Sequence, residues 1–297
     1  MRIPFRRITA VLLILAVATQ TFSVKVNGIE LSFFSANNIF TAPFWVLSGC
    51  RVILFWGGCA VTYRMWTGRN WPDFVPRPAQ FMFWFTAQVC VVLALWLLAG
   101  LDFSSIQDQV EALRADQWTA IAFVSILFAI HEEVLFRGVF QYALVAATAS
   151  VLAATLVQSL LFALAHLSSP LPSLAVVAYF LFGGLWYSII RIYTTTLWSS
   201  IGAHFGHNLV AFGIQGGIAG SYAVDGYPGA VSKFFGIAAF VFFALTLLML
   251  LVLIWRKRGS NAPDSAIRVR PEWHYYRTHL FSDQQSNRPD SEVSPRI

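Results

Sequence analysis

The sequence predicts an all-α fold, a polytopic transmembrane bundle of about eight membrane helices enclosing a polar cavity. Three observations predict it. Of 297 residues, 57% are hydrophobic and only 11% charged, where soluble domains carry about 25% charged residues; that supply cannot clothe a water-soluble surface. The apolar residues gather in runs close to the roughly 20 residues a helix needs to cross the hydrocarbon. The ionisable groups that interrupt these runs gather in three places, at residues 132–137, 166 and 204–207, at helical spacings.

The candidate spans are 8–24, 43–65, 80–101, 118–147, 150–168, 172–191, 195–217 and 234–255. The first also has the build of a signal peptide: "MRIPFRR", an apolar core, then Ala16-Val17-Ala18 as a cleavage box. The fourth is long and must tilt, bend or protrude. Residues 102–117 form a polar connector before it, and the polar stretch beyond Arg258, with its scattered Pro and Ser, is expected to be disordered. The chain thus divides into N-terminal helices and connector (1–117), a core (118–217), a C-terminal membrane helix (218–258) and a cytoplasmic tail (259–297). The pairs Gly57-Gly58, Gly183-Gly184 and Gly216-Gly217 suit close helix packing. Cys50, Cys59 and Cys90 lie in apolar runs without regular spacing, which favours buried small hydrophobes over a disulfide framework or zinc knot.

Basic residues sit between and beyond the spans, as topology signals do. With the N-terminus inside, the inner segments hold Arg2, Arg6, Arg7, Arg64, Arg69, Arg77, Arg191 and the run Arg256-Lys257-Arg258, the outer ones only Lys25, Arg114 and Lys233. Both termini are then cytoplasmic. The short loops fit a bacterial inner membrane, and the net charge of +6, spread along the chain, does not suggest a nucleic-acid partner.

Ionisable groups inside a span are costly and mark function by default. The first place is "HEEVLFRG" (131–138), with Glu132, Glu133 and Arg137; the second is His166; the third is "GAHFGHN" (202–208), with His204, His207 and Asn208. Glu133 and Arg137 are four apart and pair on one helix face, while Glu132 is turned about 100° away and left free. His204 and Asn208 are likewise four apart. A hairpin turning near Ala149 and Ser150 brings Glu132 and His166 to one level, about 25 Å from the same membrane face at about 1.5 Å per residue. His204 and Asn208 fall within about a turn of that level.

A carboxylate beside an imidazole in a partly dehydrated cavity can hold and deprotonate a water. A second imidazole and a carboxamide supply the hydrogen bonds a developing oxyanion requires. The constellation therefore reads as an acyl-type hydrolase. His131, His207 and Arg51 read as structural. The alternative is a non-catalytic membrane binding or immunity protein, or a proton-coupled transporter using the same relay. Transporters commonly show repeated halves with interrupted helices, whereas the polar groups here gather in those three places.

Glu132-Glu133-x-x-x-Arg137, Phe162-x-x-x-His166 and His204-x-x-x-Asn208, in this order on successive apolar segments, resemble the pattern of the CPBP family, the CAAX proteases and bacteriocin-processing (ABI) enzymes. The resemblance covers about residues 118–217. It implies a peptidase acting on a membrane-held or lipidated protein substrate, with the lipid bilayer as its medium. In that reading Glu132 activates water with help from His166, and His204 and Asn208 form the oxyanion pocket. Glu133 and Arg137 brace the site, and Phe162 packs beneath the histidine. Such enzymes have also been classed as metalloproteases. Were a metal used, zinc would take Glu132, His166 and His204, since catalytic zinc commonly has three protein ligands plus water. The sequence holds no His-Glu-x-x-His pair and Arg137 would oppose a cation, so a glutamate mechanism with no cofactor is favoured.

Overall fold

The computed structural model describes residues 76–141, 144–145, 150–166, 173–214 and 228–259, a hairpin at 24–26 and 29–31, and the helical positions 53, 57, 58 and 60. The expected first span (8–24), most of the second (43–65), the Gly216-Gly217 pair and the tail from 260 lie outside the described residues.

The described chain is helical apart from one antiparallel hairpin, β1 (Val24–Val26) with β2 (Ile29–Leu31), in which Val24 pairs with Leu31. Seven helices follow: α1 (Pro78–Leu98), α2 (Phe103–Ala112), α3 (Ala115–Glu133, running on as a wider π-helical stretch over Val134–Phe140), α4 (Val151–Ala165), α5 (Leu174–Thr194), α6 (Leu197–Ile214) and α7 (Pro228–Gly259). Among the described residues, four stretches are long and apolar enough to cross a membrane: Pro78–Leu98, Ala115–Phe140, Leu174–Thr194 and Lys233–Trp255. Eight spans were expected. α4 is a shorter apolar helix, and α6 carries three polar side chains near its middle.

The hairpin and α2 depart from the sequence expectation. The stretch 102–117 is not a plain connector: within it Phe103, Ile106 and Val110 recur at helical spacing, with Ile106 buried and Gln107, Asp108 and Glu111 exposed. A ten-residue amphipathic helix leaves no trace in a search for runs of about 20 apolar residues.

The helix ends follow local chemistry. Pro78 opens α1, where its missing N–H costs nothing. The Ser150 and Ser173 hydroxyls accept from the Ala153 and Val176 N–H groups and cap α4 and α5. α5 ends at Thr195 in the left-handed region, φ 61°.

α6 lies at the centre, packed on α1, α3 and α5, while α5 packs on α4 and α7. Two glycines set the α1–α6 approach. A Cβ at Gly202 would stand 2.3 Å from the Phe81 carbonyl oxygen, and one at Gly206 2.7 Å from that of Phe85. This Gly-x-x-x-Gly pair is the close-packing device. Of the pairs singled out in the sequence, Gly184 is tightly packed, against Phe162 and Ser159, and Gly183 is in ordinary contact with Phe242. For Gly57, no atom of the described residues lies within 4 Å of where a Cβ would stand. Cys90 is exposed rather than buried, lying on the outer face of α1.

Candidate active site

The middle of α3 is where the fold bends its own rules. The α-helix gives way at Val134 to π geometry, and the Gln141 N–H donates to the Phe136 carbonyl five residues back. Such widened turns gather at functional sites. This one begins directly after the two glutamates and carries Arg137.

Five side chains form the centre. The Glu133 Oε1 atom accepts from Arg137 Nη1 at 2.9 Å and from His204 Nδ1 at 2.8 Å. The other ring nitrogen of His204, Nε2, lies 3.7 Å from Glu132 Oε2, and the same oxygen stands 3.5 Å from His166 Nε2. The His204 ring therefore spans the two carboxylates that helical rotation sets apart. His166, at the C-cap of α4, directs Nδ1 to the Phe162 carbonyl at 2.8 Å, which leaves Nε2 facing Glu132.

Burial separates the two acids. The Glu133 and Arg137 side chains are fully buried, whereas Glu132 keeps 10% and His166 19% of their side-chain surface. The residual exposure lies at the Glu132–His166 edge and not at the ion pair behind it. Arg137 is held further by the Gly184 carbonyl at 3.0 Å, an oxygen that also accepts from Ser188 Oγ at 2.8 Å and from Gln158 Nε2 at 3.4 Å. Its guanidinium carbon sits 4.5 Å from the Phe162 ring centre and 5.3 Å from that of Tyr187. The charge thus meets a carboxylate, a carbonyl and two π faces, the kind of compensation a buried cation requires.

Phe162 lies against His166 with ring centres 4.4 Å apart. Asn208 is buried one turn beyond His204 on α6 and, among the described residues, makes no hydrogen bond. His207 bonds instead to the Tyr179 hydroxyl and packs on Phe242. The sequence reading missed the whole contribution of α5, namely Phe180, Gly184 and Tyr187 on one face. No motif runs through these residues; their spacing of four and then three is the only signal, and it is shared with any packed helix.

Among the described residues, no group of three or more His, Cys, Asp or Glu is placed to hold a metal ion.

Residues 114–210 match the family model described as type II CAAX prenyl endopeptidase, Rce1-like. The match takes in α3 to most of α6, and with them every residue of the centre. No curated protein and no solved structure matches the chain.

Proposed function

On the premise that residues 114–210 are an Rce1-like domain of the CPBP family, we propose that this integral membrane protein is an endopeptidase that hydrolyses a lipidated or transmembrane protein substrate with a water activated by Glu132. The observation that carries the reading is the position of Glu132 Oε2, a buried oxygen with no hydrogen-bond partner among the described residues, 3.5 Å from one imidazole and 3.7 Å from another. A single water can touch all three groups at such separations.

The roles divide as follows. Glu132 takes the proton of the attacking water, and His166 orients that water and passes the proton to the leaving amine. His204 donates its Nδ1 hydrogen to Glu133, so it offers a hydrogen from Nε2 only as an imidazolium. In that state it stabilises the oxyanion together with the Asn208 carboxamide. Glu133 and Arg137 fix the imidazole and take no proton in the cycle. No metal takes part. A substrate reaches the site within the bilayer, in a bacterial inner membrane with both chain termini on the cytoplasmic side.

The test is cleavage of a fluorogenic membrane-peptide library by detergent-purified protein. Glu132→Gln and His166→Ala each lose cleavage while remaining folded. Full activity in Glu132→Gln would remove the proposed base.

A further inference from the structure

α5 supplies none of the three sequence motifs, yet its residues meet each member of the centre. Phe180 and Tyr187 are seven apart, two helical turns, and face the same way. The Phe180 ring stacks on His166 with centres 4.4 Å apart and planes 21° from parallel. The Phe162 ring lies beside that imidazole as well, with centres 4.4 Å apart and planes tilted by 40°. Tyr187 stacks on His204 at 4.7 Å with planes only 9° apart, and the same ring lies 5.3 Å from the Arg137 guanidinium carbon. Between these two residues the Gly184 carbonyl receives Arg137.

We infer that Phe180 and Tyr187 are positioning residues that clamp the planes of His166 and His204 so that both Nε2 atoms face Glu132. The inference rests on the glutamate-peptidase reading above. An imidazole turns freely about its last side-chain torsion unless its faces are held. His166 stands at a helix end, with Nδ1 bonded to a carbonyl of its own helix. The Phe180 and Phe162 rings beside it restrict the remaining freedom. For His204 the Tyr187 face adds attraction to an imidazolium, because an aromatic face is electron-rich. The hydroxyl of Tyr187 has no part in this, so the ring alone should suffice.

The experiment compares Phe180→Leu and Tyr187→Leu, which keep bulk and remove the flat face, with Phe180→Tyr and Tyr187→Phe, which keep it. Full-length protein is assayed in detergent on a peptide that the wild type cleaves, with Glu132→Gln as control. The leucine variants should lose about 10- to 100-fold in kcat with KM within about threefold of wild type, as small misplacements of reacting groups do; the aromatic variants should stay within about threefold on the same scale. A leucine variant with wild-type kcat, a change in KM alone, or an equal loss in Tyr187→Phe would each overturn the inference. A second readout needs no turnover: the rate at which diethyl pyrocarbonate modifies His166 and His204, followed by mass spectrometry. Faster modification in the leucine variants supports the clamp, and unchanged rates reject it, even if the Glu132→Gln control cleaves normally and the peptidase reading itself falls.

Discussion

The Glu133 carboxylate and the His204 imidazole, 71 residues apart in the chain, meet at 2.8 Å between Oε1 and Nδ1. The same oxygen binds Arg137 Nη1 at 2.9 Å, and both side chains of that ion pair are fully buried. One atom therefore joins two helices and fixes which nitrogen of His204 faces Glu132. An imidazole so held presents Nε2 and nothing else to a reacting group.

Removing that carboxylate should unfold more than it inactivates. Glu133→Ala leaves the Arg137 charge buried without its acid, a change that costs about 3–5 kcal/mol where it has been isolated. The double variant Glu133→Ala, Arg137→Met removes the stranded charge and should regain most of that loss. Thermal unfolding in detergent reads both. A double variant no more stable than the single one would show that the pair is not the source of the cost.

The α1–α6 contact gives a prediction independent of chemistry. A side chain at Gly202 must displace the Phe81 backbone, since its Cβ would stand 2.3 Å from that carbonyl oxygen. Backbone cannot swing aside as a side-chain tip can, so Gly202→Ala should cost at least the 1–3 kcal/mol typical of overpacking. Gly236→Ala, on the open face of α7 with nothing within 4 Å, should be neutral or slightly stabilising through helix propensity. Equal unfolding temperatures for the two variants would contradict the packing described here.

What could be read from the sequence and what could not divide along physical lines. Long apolar runs announced α1, α3, α5 and α7 because hydrocarbon thickness fixes their length. Charges inside such runs announced Glu132, Glu133, Arg137, His166 and His204, since a membrane segment otherwise excludes them. The short helix α2 and the hairpin were hidden because neither obeys the membrane length rule. The Gly202–Gly206 contact is legible as Gly-x-x-x-Gly, a spacing that a search for adjacent glycine pairs passes over. The interhelical bonds of Gln88 to Trp186 and Gln141 to Thr155 carry no local pattern at all. Nor do the stacked rings of α5, because aromatic residues fill every face of this chain. The π-helical turn was foreseen only as some bend in an overlong span. Its onset at Val134 depends on tertiary contacts of the residues beside it.

Chelation should leave the enzyme active. That outcome follows from the proposed glutamate mechanism, and among the described residues no cluster of three ligands is placed to hold an ion. Prolonged treatment with a strong chelator, followed by assay in metal-free buffer, should reduce the rate by less than about twofold, whereas loss of a catalytic zinc removes the bound water it activates. Silence after chelation, restored by added zinc, would replace the glutamate mechanism with a metal one.

Asn208 offers the sharpest separation of chemistry from stability. It is buried at 8% exposure and bonds to nothing among the described residues, so replacing it strands no partner. Asn208→Ala should therefore leave the unfolding temperature close to wild type. If the carboxamide meets the oxyanion only as the tetrahedral intermediate forms, its removal lowers kcat by about 10²–10³ while KM holds, as loss of an oxyanion donor does elsewhere. Combining it with His204→Gln should cost less than the product of the single losses, because two donors to one oxygen act as a unit. A variant that loses stability but keeps kcat would make Asn208 a packing residue and leave His204 to bear the developing charge alone.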